Sequence, residues 1–195
     1  MEEKELSGEE SLKLINRMIY EAKGYFYESG ISALIYGFSI LICSLLTYMK
    51  DQQIISLPFT PFYLFIPVFF VQSWVQYQED KKKKAKTFTD EAIDFIWMGY
   101  FLSVFAALCG SFVHAGYIII TIILFLTGFA AFLTGAVAKF RYHIVSGIIC
   151  LLLAAASFFI QDANIYFLLA ATSVIVWIIP GFMLRSYFKK QQHDQ

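Results

Sequence analysis

Apolar residues fall in six long blocks along the chain, at 31–49, 56–77, 93–110, 116–138, 143–160 and 164–185. Charged residues gather between them, and no block carries Lys, Arg or Glu in its central part. About 20 apolar residues in a helix cross a hydrocarbon layer roughly 30 Å thick. The pattern predicts an all-α fold: a polytopic membrane helix bundle of six transmembrane helices in three hairpins, plus an N-terminal amphipathic helix. The expected division is a cytoplasmic N-terminal segment (1–29), a six-helix transmembrane domain (30–185) and a basic cytoplasmic tail (186–195).

In 7–28 the apolar positions Leu12, Ile15, Ile19, Ala22 and Phe26 step by three and four and share one helix face, and Ser7 with Glu10 fits a capping box. Three fates suit such a helix: lying in the headgroup layer, packing under the bundle, or pairing with a partner helix. Gly30 then gives the chain a flexible lead-in to the first span. No apolar h-region or cleavage site precedes that span, so it is expected to act as its own uncleaved insertion signal.

Composition agrees with the pattern. The chain of 195 residues is 58% hydrophobic, against about 45–50% for a soluble domain. Its 15 basic and 15 acidic residues cancel, which argues against nucleic-acid binding, where a basic excess supplies most of the affinity. Placement matters more than the sum. Of the 15 basic residues, only Lys50 falls in an outer loop if the N-terminus is inside. Short loops rich in Lys and Arg resist translocation, so both termini are expected in the cytoplasm and the protein in a bacterial inner membrane. The Lys81–Lys86 loop (KKKKAK) holds its connection inside and attracts anionic lipid headgroups, by about 1 kcal/mol per basic residue near the surface.

Connections between blocks are short. Lys139–Tyr142 is so brief that spans four and five must be neighbours. Thr89 suits a helix cap for span three, with Asp90 and Glu91 in the first turn, where acids favour the helix dipole. Glycines in similar company (LIYG at Gly37, IWMG at Gly99, IVSG at Gly147) hint at a threefold hairpin repeat.

Small residues four apart mark faces where helices approach closely in lipid. Span one has Ala33 and Gly37, span four Thr127, Ala131 and Gly135, and span five Ser146, Cys150 and Ala154. The last two stripes suit contact with each other or between subunits, so a protein partner or homo-oligomer stays open. Cys43, Cys109 and Cys150 lie within spans without CxxC spacing and read as small apolar packing residues.

Span two differs from the rest. Pro58 and Pro61 suit a helix start, whereas Pro67 is interior to the apolar block and is expected to kink it. Gln72 and Gln76 share a face, flanked by Ser73, Trp74 and Tyr77. Amides in hydrocarbon want partners, so this face should look into the bundle. Interhelical hydrogen bonding and a polar solute or ion path are both consistent with it, and Gln72, Gln76, Ser73 and Trp74 form the candidate polar pocket. Asp94, one turn into span three, is expected at the inner interface near Lys139 or Arg141, as an ion pair. Tyr36, Tyr77, Trp97, Tyr142 and Trp177, with other aromatics near span ends, fit an interfacial belt. Pro180–Gly181 is expected to kink or end the last helix.

Catalytic parts are missing from the sequence. His114 and His143 fall on opposite membrane faces. There is no HExxH, GxSxG, paired carboxylates or Gly-rich phosphate loop. No catalytic residue, metal site or cofactor is therefore expected, and the chain reads as non-enzymatic. A mid-membrane carboxylate of the kind a coupled pump uses is also missing.

The segments ESLKLINRMIYEAKGYFYESG, KTFTDEAIDFIW, TGAVAKFRYHIVSGIICLLLAAASFF and WIIPGFMLRSYFKK resemble a family of small six-span bacterial inner-membrane proteins without an assigned activity. The resemblance runs along most of the chain and implies a compartment and no active site. The leading expectation is a structural or regulatory membrane subunit acting through helix contacts and its cytoplasmic face; the alternative is a small-solute transporter or substrate-binding membrane subunit of an uptake complex.

Overall fold

A computed structural model describes residues 30–81, 88–111, 117–160 and 162–193. The amphipathic helix expected in 7–28, the loop from Lys82 to Lys86 and the connection holding His114 lie outside the described residues. The described chain is helical and contains no strand. Its elements are α1 (Ile31–Asp51), a 3-10 turn (Pro61–Leu64), α2 (Phe65–Asp80), α3 (Phe88–Ser111), α4 (Ile118–Val137), α5 (Arg141–Ser157), α6 (Ile165–Ser173), a π turn (Val174–Ile178) and α7 (Ile179–His193). Four helical stretches are long and apolar enough to cross a membrane: α1, α3 over Phe88–Cys109, α4, and the continuous run Ile165–Ser186.

The closest partnership is α4 with α5, and glycine makes it. A Cβ on Gly147 would lie 2.5 Å from the Phe132 backbone nitrogen, and one on Gly135 would lie 2.5 Å from that of Ile144. The two backbones are nearly in contact, which is how helices gain dispersion energy where lipid removes the hydrophobic drive. The turn between them is tight. Lys139 adopts φ 54, Phe140 N–H donates to Gly135 O at 2.9 Å and Lys139 N–H to Ala136 O at 3.4 Å. This is the Schellman pattern with lysine in the left-handed position.

Buried hydroxyls on these helices mostly bond within a turn, as Thr127 does to Ile123 O (2.8 Å) and Ser157 to Ala154 O (2.7 Å). They satisfy themselves without separating the helices. Ser157 Oγ also lies 2.8 Å from Thr121 Oγ1 across the seam, a bond in which the Thr121 hydroxyl can donate. A double-mutant cycle with Ser157→Ala and Thr121→Val should give a coupling of about 0.6 kcal/mol, the usual size for such bonds in a bundle. Zero coupling in detergent unfolding would remove that bond from the account.

The other close partnerships are α1 with α6 and its π turn, and α3 with α4. At one end of the bundle Ile120, Leu124, Ala154, Ile165 and Leu169 form a cluster. In the middle Ala131, Cys150, Val176 and Trp177 meet, and at the other end Ile93, Phe140 and Leu184. Hairpin neighbours are thus not in general the main packing partners. The three glycines in similar sequence company also differ. Gly37 abuts Trp177 and Ile178, Gly147 abuts Phe132, and a Cβ on Gly99 would meet nothing within 4 Å among the described residues.

Pro67 acts differently from expectation, and of the two outcomes expected at Pro180–Gly181, a kink or an end, the helix does not end there. The α-helix of the second block begins at Phe65 after the 3-10 turn. Pro67 therefore lies in its first turn, where a missing N–H costs little, and produces no mid-helix kink. Pro180–Gly181 neither ends nor breaks the last helix, which runs on through α7 to His193. The preceding π turn, in which Ile179 N–H bonds Val174 O, widens the backbone ahead of the proline ring and absorbs it. Gly181 serves contact instead: a Cβ there would lie 2.9 Å from Leu34 Cγ, and one on Gly30 (φ 71) would collide with Gly181 O. Thr89 lies inside α3 and not at its start, because the helix already includes Phe88.

Candidate solute-binding cavity

α2 rests mainly on α1, and α3 mainly on α4. Between them lies a cavity of about 320 Å³, within the usual range of small-molecule sites. Four α2 residues line it: Phe69, Gln72, Ser73 and Gln76. They recur at helical spacing, so a single face of α2 forms one wall. Ile93, Asp94, Trp97 and Phe101 of α3 form the opposite wall by the same logic. α1 contributes Ser32, Ala33 and Tyr36, α5 contributes His143, and Val176, Trp177 and Leu184 come from the last helical run. The floor is buried, with Val176 2%, Gln72 6% and Trp177 8% exposed. Gln76, Ser73, Asp94 and Phe101 are exposed. The shape is a cleft with a closed floor and an open rim.

The lining is aromatic from floor to rim. Trp97 and Trp177 have ring centroids 4.7 Å apart, Tyr36 lies 5.5 Å from Trp177, and Phe101 lies 5.7 Å from Tyr36. Tyr100, beside Trp97 at 5.4 Å, bonds the Thr127 hydroxyl at 3.1 Å and ties this cluster to α4. Gln72 is one polar feature of the lining, beside the buried His143 and Ser32 of α1. The Gln72 side-chain carbonyl Oε1 is buried and has no hydrogen-bond partner among the described residues. A buried acceptor left unmade costs about 1–3 kcal/mol, so this atom favours whatever brings it a donor.

Of the candidate pocket residues, Gln72, Ser73 and Gln76 lie together on the cavity wall. Trp74 does not line it and is 64% exposed, on the outer side of α2. Asp94 lines the cavity, whereas Lys139 and Arg141 sit exposed at the α4–α5 turn and do not. Ala33 touches the cavity, and Gly37 packs on the last helical run. Thr127, Ala131, Gly135, Ser146, Cys150 and Ala154 are all buried within the chain. Cys150 reaches Leu124 O at 3.3 Å and Cys43 reaches Pro61 O at 3.4 Å, both as free thiols in packed surroundings. Among the described residues no three His, Cys, Asp or Glu side chains come close enough to hold a metal ion.

Sequence reasoning placed Tyr36, Trp97 and Trp177 in an interfacial belt and missed their convergence. One signal was available: Asp94, Trp97 and Phe101 are spaced by three and four, so the aromatics share a face with the one acidic residue of that span's interior turn. His143 gave no comparable signal. Compared with known protein families, with curated proteins and with solved structures, the chain matches none.

Proposed function

We propose that this chain is a six-span membrane protein that binds a small solute in the α2–α3 cavity, as a carrier or as the substrate-binding membrane subunit of an uptake complex. The observation that carries this reading is the cleft of about 320 Å³ beside Gln72, whose carbonyl has no donor among the described residues. The structural-subunit reading rests on small-residue stripes, and those of α4 and α5 are used up inside the chain. The seat is a bacterial inner membrane with both termini cytoplasmic, in keeping with the placement of Lys and Arg and with the resemblance to a six-span inner-membrane family.

The reach of two shorter helices, α5 and α2, supports a count of six. Ser157, at the end of α5, bonds Thr121, in the first turn of α4. The two helices are antiparallel and joined by a tight turn, so α5 traverses nearly the depth that α4 does. The four-residue 3-10 turn and the 16-residue α2 rise together about 32 Å. Phe62 lies 6.4 Å from Tyr166 at one end, and Gln76 shares the cavity with Leu184 at the other. All the cavity-lining segments reach it at the ends that this topology puts in the cytoplasm.

Thiol labelling tests access and sidedness together, because a maleimide reacts with a thiolate and so needs water. On a Cys109→Ser background, Gln76→Cys should label with an impermeant maleimide in inside-out vesicles and not in right-side-out ones. Trp74→Cys, also exposed but outside the cavity lining, should stay unlabelled in both. An inert Gln76→Cys would mean that no solute reaches the cavity, and labelling from the outside alone would invert the topology.

A further inference from the structure

The polar groups of the cavity lining name a ligand class, an inference that rests on the solute-binding reading. We propose that the cavity binds an uncharged, flat molecule of one ring with an amide edge, an N–H donor beside a carbonyl acceptor, as in an aromatic carboxamide or a lactam. Three observations carry this. First, two lining side chains hold buried oxygens with no hydrogen-bond partner among the described residues: Gln72 Oε1 and Ser32 Oγ. Gln72 is only 6% exposed. Its carbonyl oxygen accepts only, and so calls for a ligand N–H; a hydroxyl also donates, and can serve a ligand carbonyl. The terminal torsion of glutamine is broad, so a small rotation turns the Gln72 amide toward a bound molecule. Second, Tyr36, Trp97, Phe101 and Trp177 supply ring surface, and a flat ring gains from offset or edge contact with it. Third, the described lining has no charge to spare. It holds no Lys or Arg, and its two side chains that ionise near neutral pH, Asp94 and His143, already have interaction partners of their own. A charged ligand on the buried floor would lose hydration with no opposite charge to offset the loss.

These features separate molecules of nearly one shape. Benzamide, acetophenone, benzamidinium and benzoate each join a phenyl ring to a small planar head. Benzamide brings the donor and the acceptor without charge. Acetophenone keeps the carbonyl and lacks the N–H. Benzamidinium has donors, no acceptor and a positive charge; benzoate has acceptors, no donor and a negative charge. Volume sets the upper limit: about 320 Å³ admits a solute of one ring and excludes a lipid.

The test uses the unaltered full chain in nanodiscs of zwitterionic phosphatidylcholine, so that lipid charge gathers neither charged probe, with empty nanodiscs as the blank. Titration of each probe, followed by saturation-transfer NMR, gives its Kd. Benzamide should bind saturably and the other three at least about tenfold more weakly; one buried hydrogen bond left unmade accounts for a difference of that size. Gln72→Met, of similar length, should weaken benzamide about tenfold and leave acetophenone unchanged. Ser32→Ala should weaken both, because both present a carbonyl. The four probes on the unaltered chain decide the matter even if a variant folds badly. Acetophenone binding as tightly as benzamide would overturn the donor requirement, and benzamidinium or benzoate binding as tightly would overturn the uncharged class. Either result leaves the solute-binding reading intact. If no probe binds saturably although Gln76→Cys labels, the cavity holds only water, and both proposals fall.

Discussion

Gly147→Leu is expected to be the most damaging single substitution in the described bundle, and Gly147→Ala to be damaging already. A Cβ at this position would lie 2.5 Å from Phe132 N, 2.8 Å from Phe132 Cα and 2.9 Å from Gly128 O. All three are backbone atoms of α4, so no rotamer change relieves the clash; α5 itself must move away. Overpacking of this kind costs about 1–3 kcal/mol for the first methyl and more for a branched side chain. Displacing α5 also pulls at the Ser157–Thr121 bond and at the Cys150–Leu124 contact. Gly99→Ala is the matched control, since a Cβ there meets nothing within 4 Å among the described residues. Removing a mid-helix glycine without a clash should stabilise by up to about 1 kcal/mol. Reversible unfolding in mixed micelles, followed by helical circular dichroism, gives both signs in one experiment. Equal effects of Gly147→Ala and Gly99→Ala would show that α5 does not sit against α4 as described.

Trp177→Ala is expected to cost about 3 kcal/mol, the low end of the range for truncating a buried aromatic. The low end applies because lipid is as apolar as the core, so the transfer contribution largely cancels and lost packing remains. That packing is specific. The ring sits 4.7 Å from Trp97 and 5.5 Å from Tyr36, and the space left by Gly37 receives its Cβ. Trp177→Phe keeps an aromatic face and should cost about 1 kcal/mol. Combining Trp177→Ala with Trp97→Ala should cost less than the two separately, by about 0.5–1.5 kcal/mol, because each single change already breaks the ring pair. Strict additivity in the same unfolding assay would mean that the two rings do not touch, and the aromatic floor of the cavity would go with them.

The parts of this protein that were legible in its sequence are those that add up along the chain. Blocks of Leu, Ile, Val and Phe announce helices, and four of these stretches have the length and apolarity to cross a membrane. The amides of Gln72 and Gln76 stand out because nothing in an apolar helix wants them. Prolines were harder. Pro67 looks interior when measured from the start of its apolar block, but the α-helix starts nine residues later than the block does, at Phe65. Pro180 looks like a kink or a stop, and the π turn before it lets the helix continue. A widened turn has no residue signature of its own, so the sequence cannot distinguish a broken helix from one that makes room.

The aromatics mark the boundary most clearly. A tryptophan near a span end satisfies an interfacial belt and a cavity floor equally well, because both need the same residue at the same depth. Helical state, apolar span length and the clustering of charge are set by local composition, and the sequence determined them alone. The angle at which each helix faces its neighbours is set by close approach of backbones: Gly147 against Phe132, Gly37 against Trp177, Gly181 against Leu34. Those contacts join residues more than a dozen positions apart and depend on shape, which no run of residue types encodes. Only the tertiary structure could turn Tyr36, Trp97 and Trp177 to the same space as Gln72 and Asp94, because packing fixes rotation about a helix axis and hydropathy does not.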